Sequence, residues 1–348
     1  MTEPATRILV VGPSWVGDMV MSQVLYRYLH TTRPGVAIDV LAPAWSGPLL
    51  QRMPEVRRTI VMPLGHGEFG FGQRRRLGHE LRSEHYDQAI VLPKSLKSAL
   101  LPFFAGIPRR TGWRGEMRYG LLNDLRVLDP GSLPLMAQRF LALGQEASAA
   151  IPTTMPGPAL SVDPGEALET ARRAGLNADM PTLALCPGAE FGAAKCWPAE
   201  YYAQVAREYL SRGWQLTLCG SANDRDICGQ IKSNSGDHAR CHDLAGRTSL
   251  AEVVDLLSRS TAVISNDSGL MHIAAALQRP LLAIYGATSP EFTPPMGAGS
   301  VVLQSQLDCA PCFQRECPLG HHRCMRDTSA QLVIARLDEL LLATGVGQ

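Results

Sequence analysis

Short apolar runs alternate with helix-patterned segments from one end of the chain to the other, and no other feature limits the fold as much. Residues 7–11 (Arg-Ile-Leu-Val-Val), 37–41, 57–62 and 88–92 are such runs in the first half, and 182–186, 215–219, 262–264 and 281–285 are their counterparts in the second. Helical spacing appears over 19–30, 199–210, 252–257 and 273–277, in a helix that ends over 80–85, and in an amphipathic terminal stretch, 328–343. Strands of this kind, separated by helices, imply βαβ units, parallel sheets and right-handed crossovers. The rhythm breaks once, at 151–159 (Ile-Pro-Thr-Thr-Met-Pro-Gly-Pro-Ala), whose prolines and glycine read as an interdomain linker. The expected fold is α/β: two Rossmann-like, doubly wound domains facing a central cleft. Expected boundaries are 1–155, 156–327 and a C-terminal helix, 328–348, packing back on the first domain.

The 348 residues suit two domains, and 45% hydrophobic against 19% charged residues suits sizeable cores. No apolar run is long enough to span a membrane, and the opening Thr2-Glu3-Pro4 runs straight into a strand without a secretory pattern. A cytoplasmic protein is expected. The net charge is only +1, but between Arg52 and Arg126 there are 14 Arg and Lys against 7 Asp and Glu. A local basic excess in a near-neutral chain points to a local anionic partner, or to a solvated Arg-rich face. Nucleic acid is not expected, because no zinc-finger, RNP-type or helix-turn-helix pattern is present.

Four loops fall at carboxyl ends of expected strands, where ligands of such sheets bind. Gly12 to Asp18 allows close backbone approach and ends in a carboxylate at a helix start. It lacks the full GxGxxG pattern, which argues against a nicotinamide dehydrogenase. Pro187-Gly188-Ala189 leads to Lys195, one of only four lysines, and a lysine beyond a glycine-rich turn suits phosphate. Gly220-Ser221-Ala222-Asn223-Asp224 is a third, weaker loop. The fourth, Ser265-Asn266-Asp267-Ser268-Gly269-Leu270-Met271-His272, joins a strand to a helix start, where free N–H groups and the helix dipole favour an anion. Each also reads as an ordinary capped turn. Together they describe a nucleoside-diphosphate site in the second half and a carboxylate loop and basic stretch in the first.

Longer stretches carry a resemblance. Gly12-Pro13-Ser14-Trp15-Val16-Gly17-Asp18-Met19, Met53-Pro54-Glu55-Val56 and Pro63-Leu64-Gly65-His66-Gly67 are followed by Phe103-Phe104-Ala105-Gly106-Ile107-Pro108 and by the run from Arg110 to Tyr119. The second half adds the run from Cys186 to Gly192, Lys195, and the run from Asn266 to His272. Nearly end to end, the chain resembles glycosyltransferase family 9, in its lipopolysaccharide heptosyltransferase branch. The resemblance implies a GT-B fold and inverting transfer of heptose from ADP-heptose to the first heptose of a lipid A–Kdo–heptose acceptor, at the cytoplasmic face of the inner membrane. It implies Asp18 as general base and Lys195 as the group stabilising the leaving diphosphate. Gly188, Ala189, Ser221, Leu244, Asp267, Ser268, Gly269 and His272 are implied on the donor. Ser14, Gly17, Arg74, Arg75, Lys94, Lys97, Arg114 and Arg118 are expected on the acceptor. No cofactor is expected in the chemistry.

Of nine cysteines, five are scattered, and Cys309, Cys312, Cys317 and Cys324 cluster with His321 and His322. Their spacing allows a structural zinc, a disulfide or redox element, or free thiols. The alternatives to the lead reading are a family 9 transferase with another donor or core position, a sugar-nucleotide epimerase, and a non-catalytic anion- or metal-binding protein.

Overall fold

A computed structural model describes residues 6–65, 67–152 and 154–345; His66, within one of the family-like stretches, lies outside them. The chain divides into two units, Met1–Pro158 and Ala159–Gln348. The division falls inside the proline-rich stretch, three residues beyond the expected boundary.

In the first unit, β1 (Arg7–Val11), β2 (Ala37–Pro43), β3 (Val56–Met62), β4 (Gln88–Val91), β5 (Arg109–Trp113) and β6 (Asp124–Arg126) form one parallel sheet in the order β3-β2-β1-β4-β5-β6. In the second, β7 (Thr182–Cys186), β8 (Gln215–Leu218), β9 (Cys241–Asp243), β10 (Ala262–Asn266), β11 (Leu281–Tyr285) and β12 (Ser300–Gln304) have the order β12-β11-β10-β7-β8-β9. Counted within each unit, this is the same doubly wound 3-2-1-4-5-6 order. The strand order reverses between β1 and β4 in one sheet and between β7 and β10 in the other, and the crevice at such a reversal is where these sheets bind ligands.

The central strands form because both their faces are covered. Ile8, Leu9 and Val10 are fully buried, as are Leu183, Ala184 and Leu185 of β7, and a large apolar side chain gains about 2 kcal/mol from such burial. Helices cover the sheets through apolar stripes. The helix Ala199–Ser211 presents Tyr202, Val205, Ala206 and Tyr209 to the second core.

The terminal helix is Ala330–Ala343. Val333, Leu337, Leu340 and Leu341 lie on one helical face and belong to the second unit's core with Tyr202 and Tyr209. The Tyr209 hydroxyl donates to Asp338 Oδ1 at 2.8 Å, and Arg212 pairs with the same oxygen at 2.6 Å. The helix is built into the second unit's core. Among the described residues, no helix is long and apolar enough to cross a membrane.

Candidate active site

In the second unit the strand-order reversal brings two loops together. Asn266, the last residue of β10, is fully buried. Its Nδ2 donates to the Pro187 carbonyl, and its Oδ1 accepts from the Trp197 N–H at 3.1 Å and the Tyr202 hydroxyl at 3.0 Å. One side chain thereby clamps both ends of the loop carrying Gly188, Ala189 and Lys195. Trp197, also fully buried, anchors the far end through its own indole N–H to the Thr328 carbonyl, 2.8 Å away.

Beyond Asn266 the chain turns into the helix Gly269–Ala276. Ser268 is its N-cap and accepts from the Met271 N–H at 3.5 Å. Ser265 holds the turn from beneath, with its Oγ 2.7 Å from the Asn266 carbonyl and 3.1 Å from Ser268 Oγ. Asp267 is buried, and its Oδ2 accepts from Lys195 Nζ at 2.6 Å and from the Thr288 hydroxyl at 2.6 Å. Lys195 thus leans from its loop onto the helix start, with Nζ 5.0 Å from the centre of the Phe191 ring. His272 is buried below. Burial pushes its pKa down to about 4 against the pull of Asp267, and the Lys195 charge adds to the lowering. The imidazole is neutral at pH 7 and can still donate one N–H.

The structure therefore gathers Gly188, Ala189, Lys195, Asp267, Ser268, Gly269 and His272 at one sheet edge. Ser221 caps its own turn, its N–H and Oγ both donating to Asp224 Oδ2 at 2.7 and 2.9 Å. That turn fixes the neighbouring loop, because a Cβ on Gly188 would collide with the Asp224 carboxylate. The Leu244 side chain packs in a small core with Ala171, Leu176 and Leu256. Asn266 and Thr288 were not singled out in the sequence. Asn266 belongs to the run from Asn266 to His272, whereas nothing in the sequence marks Thr288, since only the fold brings the segment after β11 beside β10.

In the first unit, the loops after β1, β4 and β5 leave the sheet at a common edge. The Leu92 N–H donates to the Val11 carbonyl at 3.1 Å. Asp18 occupies the first turn of the helix Val16–Thr32, where the dipole favours a carboxylate, with Ser14 exposed and Gly17 half-buried just before it. Lys94 is exposed and Lys97 half-buried. Partial burial first, then the Arg139 and Arg118 charges, hold the Lys94 pKa below its usual value. Exposed Arg114 stands beside Gly115, which packs on the Lys94 backbone.

Two expected acceptor contacts are corrected. Arg118 is fully buried, donating from Nη1 to the Pro93 carbonyl at 2.7 Å and Ser98 Oγ at 3.2 Å, and from Nη2 to the Trp113 carbonyl. Arg74 is buried with Nε on the Phe69 carbonyl at 2.7 Å. Both cations brace loops. Arg75 is exposed on the helix Phe71–Glu80.

The cysteine cluster lies on the segment that follows β12. The His322 N–H, 3.4 Å from Cys317 Sγ, and then burial-opposed N–H groups of Leu319, Gly320 and His321 lower the Cys317 pKa. Burial, then the charges of Cys312, Cys317 and Cys309, raise that of Cys324. Such charge effects reach farther than coordination. All four are free thiols, and among the described residues no group of three or more His, Cys, Asp or Glu side chains is arranged to hold a metal ion.

Comparison with known proteins places this geometry. The sequence profile of glycosyltransferase family 9 (heptosyltransferase) matches residues 74–323. The chain belongs to glycosyltransferase family 9. It is 49% identical to lipopolysaccharide heptosyltransferase 2 of Escherichia coli K12, over 97% of this chain and 99% of that protein. It is 46% identical to lipooligosaccharide heptosyltransferase 2 of Haemophilus influenzae, over 96% and 99%. The solved structure of the E. coli ADP-heptose LPS heptosyltransferase II superposes with a TM-score of 0.89 at 46% identity, covering 98% of this chain and all of that one. The fold is GT-B, and the chain is a glycosyltransferase. The family match contains every second-unit loop described above, while Asp18 lies before it.

Because His272 is neutral when folded and titrates near its ordinary value when unfolded, it costs stability as pH falls from about 6.5 toward 4. Between pH 7 and pH 5 this loss amounts to about 2 kcal/mol. Urea unfolding of His272→Gln should show a correspondingly smaller drop over that interval than the parent protein. An equal drop in both would place the titrating group elsewhere.

Proposed function

We propose that the chain moves heptose from ADP-L-glycero-β-D-manno-heptose, with inversion, to the first heptose of the lipopolysaccharide inner core. The near full-length similarity to heptosyltransferase 2 carries this reading. In it, an acceptor hydroxyl oxygen bonds to the anomeric carbon while the bond from that carbon to the ADP oxygen breaks. The hydroxyl proton passes to the Asp18 carboxylate. The second unit holds the donor, with the backbone N–H groups at Ser268 and Gly269 and the Lys195 ammonium on the diphosphate as its charge grows. Asp267 and Thr288 orient Lys195, and His272 supplies a neutral hydrogen bond. These groups meet the leaving charge without a bound cofactor. Ser14, Gly17, Lys94, Lys97 and Arg114 meet the acceptor, whose inner core carries carboxylates and phosphates.

The lipid end of the acceptor meets an aromatic ridge of the first unit. Phe69, Phe71 and Phe103 are 52%, 49% and 43% exposed. Phe71 and Phe103 both pack on Phe104, with ring centroids 5.4 and 5.7 Å apart. Arg110 lies 5.7 Å over Phe103, and Arg75, Arg76 and Arg82 are exposed nearby in sequence. Aromatic rings rimmed by arginine suit an anionic lipid surface, where each cation adds about 1 kcal/mol. On this reading the protein works at the cytoplasmic face of the inner membrane.

Transfer from ADP-heptose to purified mono-heptosylated core acceptor, with ADP-glucose as control donor, tests the assignment. Product from the heptose donor supports it, and absence of product rejects it. Asp18→Asn should lower turnover by about 10²–10⁴-fold while ADP affinity is kept; near-normal turnover would remove Asp18 from the role. For the ridge, flotation with phosphatidylglycerol vesicles should recover the parent protein and lose the Phe69→Ser/Phe71→Ser double variant. Equal flotation of the two would reject a lipid-facing ridge, and equal binding to neutral vesicles would reject the arginine rim as its anionic-lipid contact.

A further inference from the structure

The cysteine-rich segment forms part of the surroundings of the Lys195 loop. After β12 it runs back along the sheet edge, and the Phe313 N–H donates to the Ala287 carbonyl at 2.7 Å, next to Thr288. Two residues later the Arg315 carbonyl accepts from the Ala194 N–H at 3.0 Å, next to Lys195. The approach is close enough that a Cβ on Gly192 would strike the Arg315 backbone, and Gly192 has φ of 152°. At the segment's far end, Cys324 Sγ would lie 3.1 Å from a Cβ on Gly286. Loop, ion pair and segment thus close a ring: Ala194 to Lys195, Asp267, Thr288, Ala287, Phe313, Arg315 and back.

This arrangement brings a second cation to the site. The Arg315 guanidinium lies 5.5 Å from the centre of the Phe191 ring, the ring on which Lys195 Nζ also rests at 5.0 Å. The two differ in their partners. Lys195 is already balanced by Asp267, 2.6 Å away. Arg315 is exposed, and among the described residues no carboxylate pairs with it. A departing nucleoside diphosphate carries more than one negative charge, and a balanced lysine leaves much of it unmet. A guanidinium held by its own backbone and by an aromatic face loses little freedom on binding phosphate.

We propose that Arg315, presented by the cysteine-rich segment, is a second diphosphate-binding cation of the donor site. This rests on the assignment of the Lys195 loop to ADP-heptose. The test is calorimetry of ADP and AMP binding to the full chain and to Arg315→Ala, Arg315→Met and Lys195→Ala. Met keeps an apolar stem on Phe191 and removes only the charge. Arg315→Ala and Arg315→Met should each weaken ADP about tenfold, weaken AMP less, and flatten the salt dependence of ADP binding. Parent-like ADP affinity in Arg315→Met, with Lys195→Ala weakened, would overturn the proposal and leave the donor assignment standing. ADP affinity unchanged in Lys195→Ala, or no ADP binding by the parent chain, would overturn the donor assignment itself.

Discussion

The buried contact between Lys195 and Asp267 is the interaction on which the second unit's candidate site depends. Two opposite charges at 2.6 Å, with side chains 14% and 5% exposed, have given up most of their hydration. Coulomb attraction repays that loss only when the remaining lone pairs are satisfied. Thr288 does this on the carboxylate, and Asp267's own carbonyl, 3.4 Å from Nζ, does it on the ammonium. A pair of this kind contributes placement more than stability. It fixes a long, flexible lysine over a helix start before any ligand arrives, so little side-chain entropy remains to be lost on binding. Removing either partner would leave a buried charge unpaired, which costs far more than the pair contributes.

The placement works because Asn266 and Asp267 are consecutive. Strand β10 ends with one side chain directed into the neighbouring loop and the next held at the helix start. Asn266 fixes the loop's backbone at Pro187 and Trp197, and Asp267 fixes its lysine. Both units share one strand order, so both have the same crevice between their first and fourth strands. What differs is how the crevice is furnished. The second unit lines it with glycine-rich backbone and a paired lysine. The first lines it with a helix-start carboxylate and exposed cations, and its buried Arg118 bonds the Pro93, Ser95 and Trp113 carbonyls and Ser98 Oγ.

Much of this was legible in the sequence, and the physical reason is burial. Strands covered on both faces, such as β1, β7 and β11, must be apolar throughout and announce themselves. β5 escaped notice because Arg109-Arg110-Thr111-Gly112-Trp113 is polar: Arg109 and Thr111 both bond Asp124 of β6. β6 and β9 have three residues each, too few for a pattern. The turn from Asn266 to His272 was legible because small polar residues between an apolar strand and a helix are those a capped helix start requires. What covers Leu244 and the terminal helix was not legible for the opposite reason, since an apolar residue reports that it is covered but not by what.

The arginines show the same limit in charge. The surplus of basic residues between Arg52 and Arg126 suggested one anion-binding face, yet the structure divides it among different tasks. Arg57 and Arg58 neutralise the fully buried Asp39, at 2.6 and 3.1 Å, beneath the Tyr86 hydroxyl. Their bonds hold the Asp39 carboxyl below its usual pKa although burial opposes them. Arg74 and Arg118 tie carbonyl groups, and Arg109 and Arg126 share Asp124. A guanidinium serves such interior positions because its five donors satisfy several acceptors at once and it stays charged where a lysine would lose its proton. In a chain with 29 arginines and four lysines, positive charge is therefore a poor guide to where an anion binds. The better guide is a cation whose surroundings leave its charge unbalanced. By that criterion the exposed Lys94, Arg114 and Arg315 stand apart from the arginines that hold the fold together.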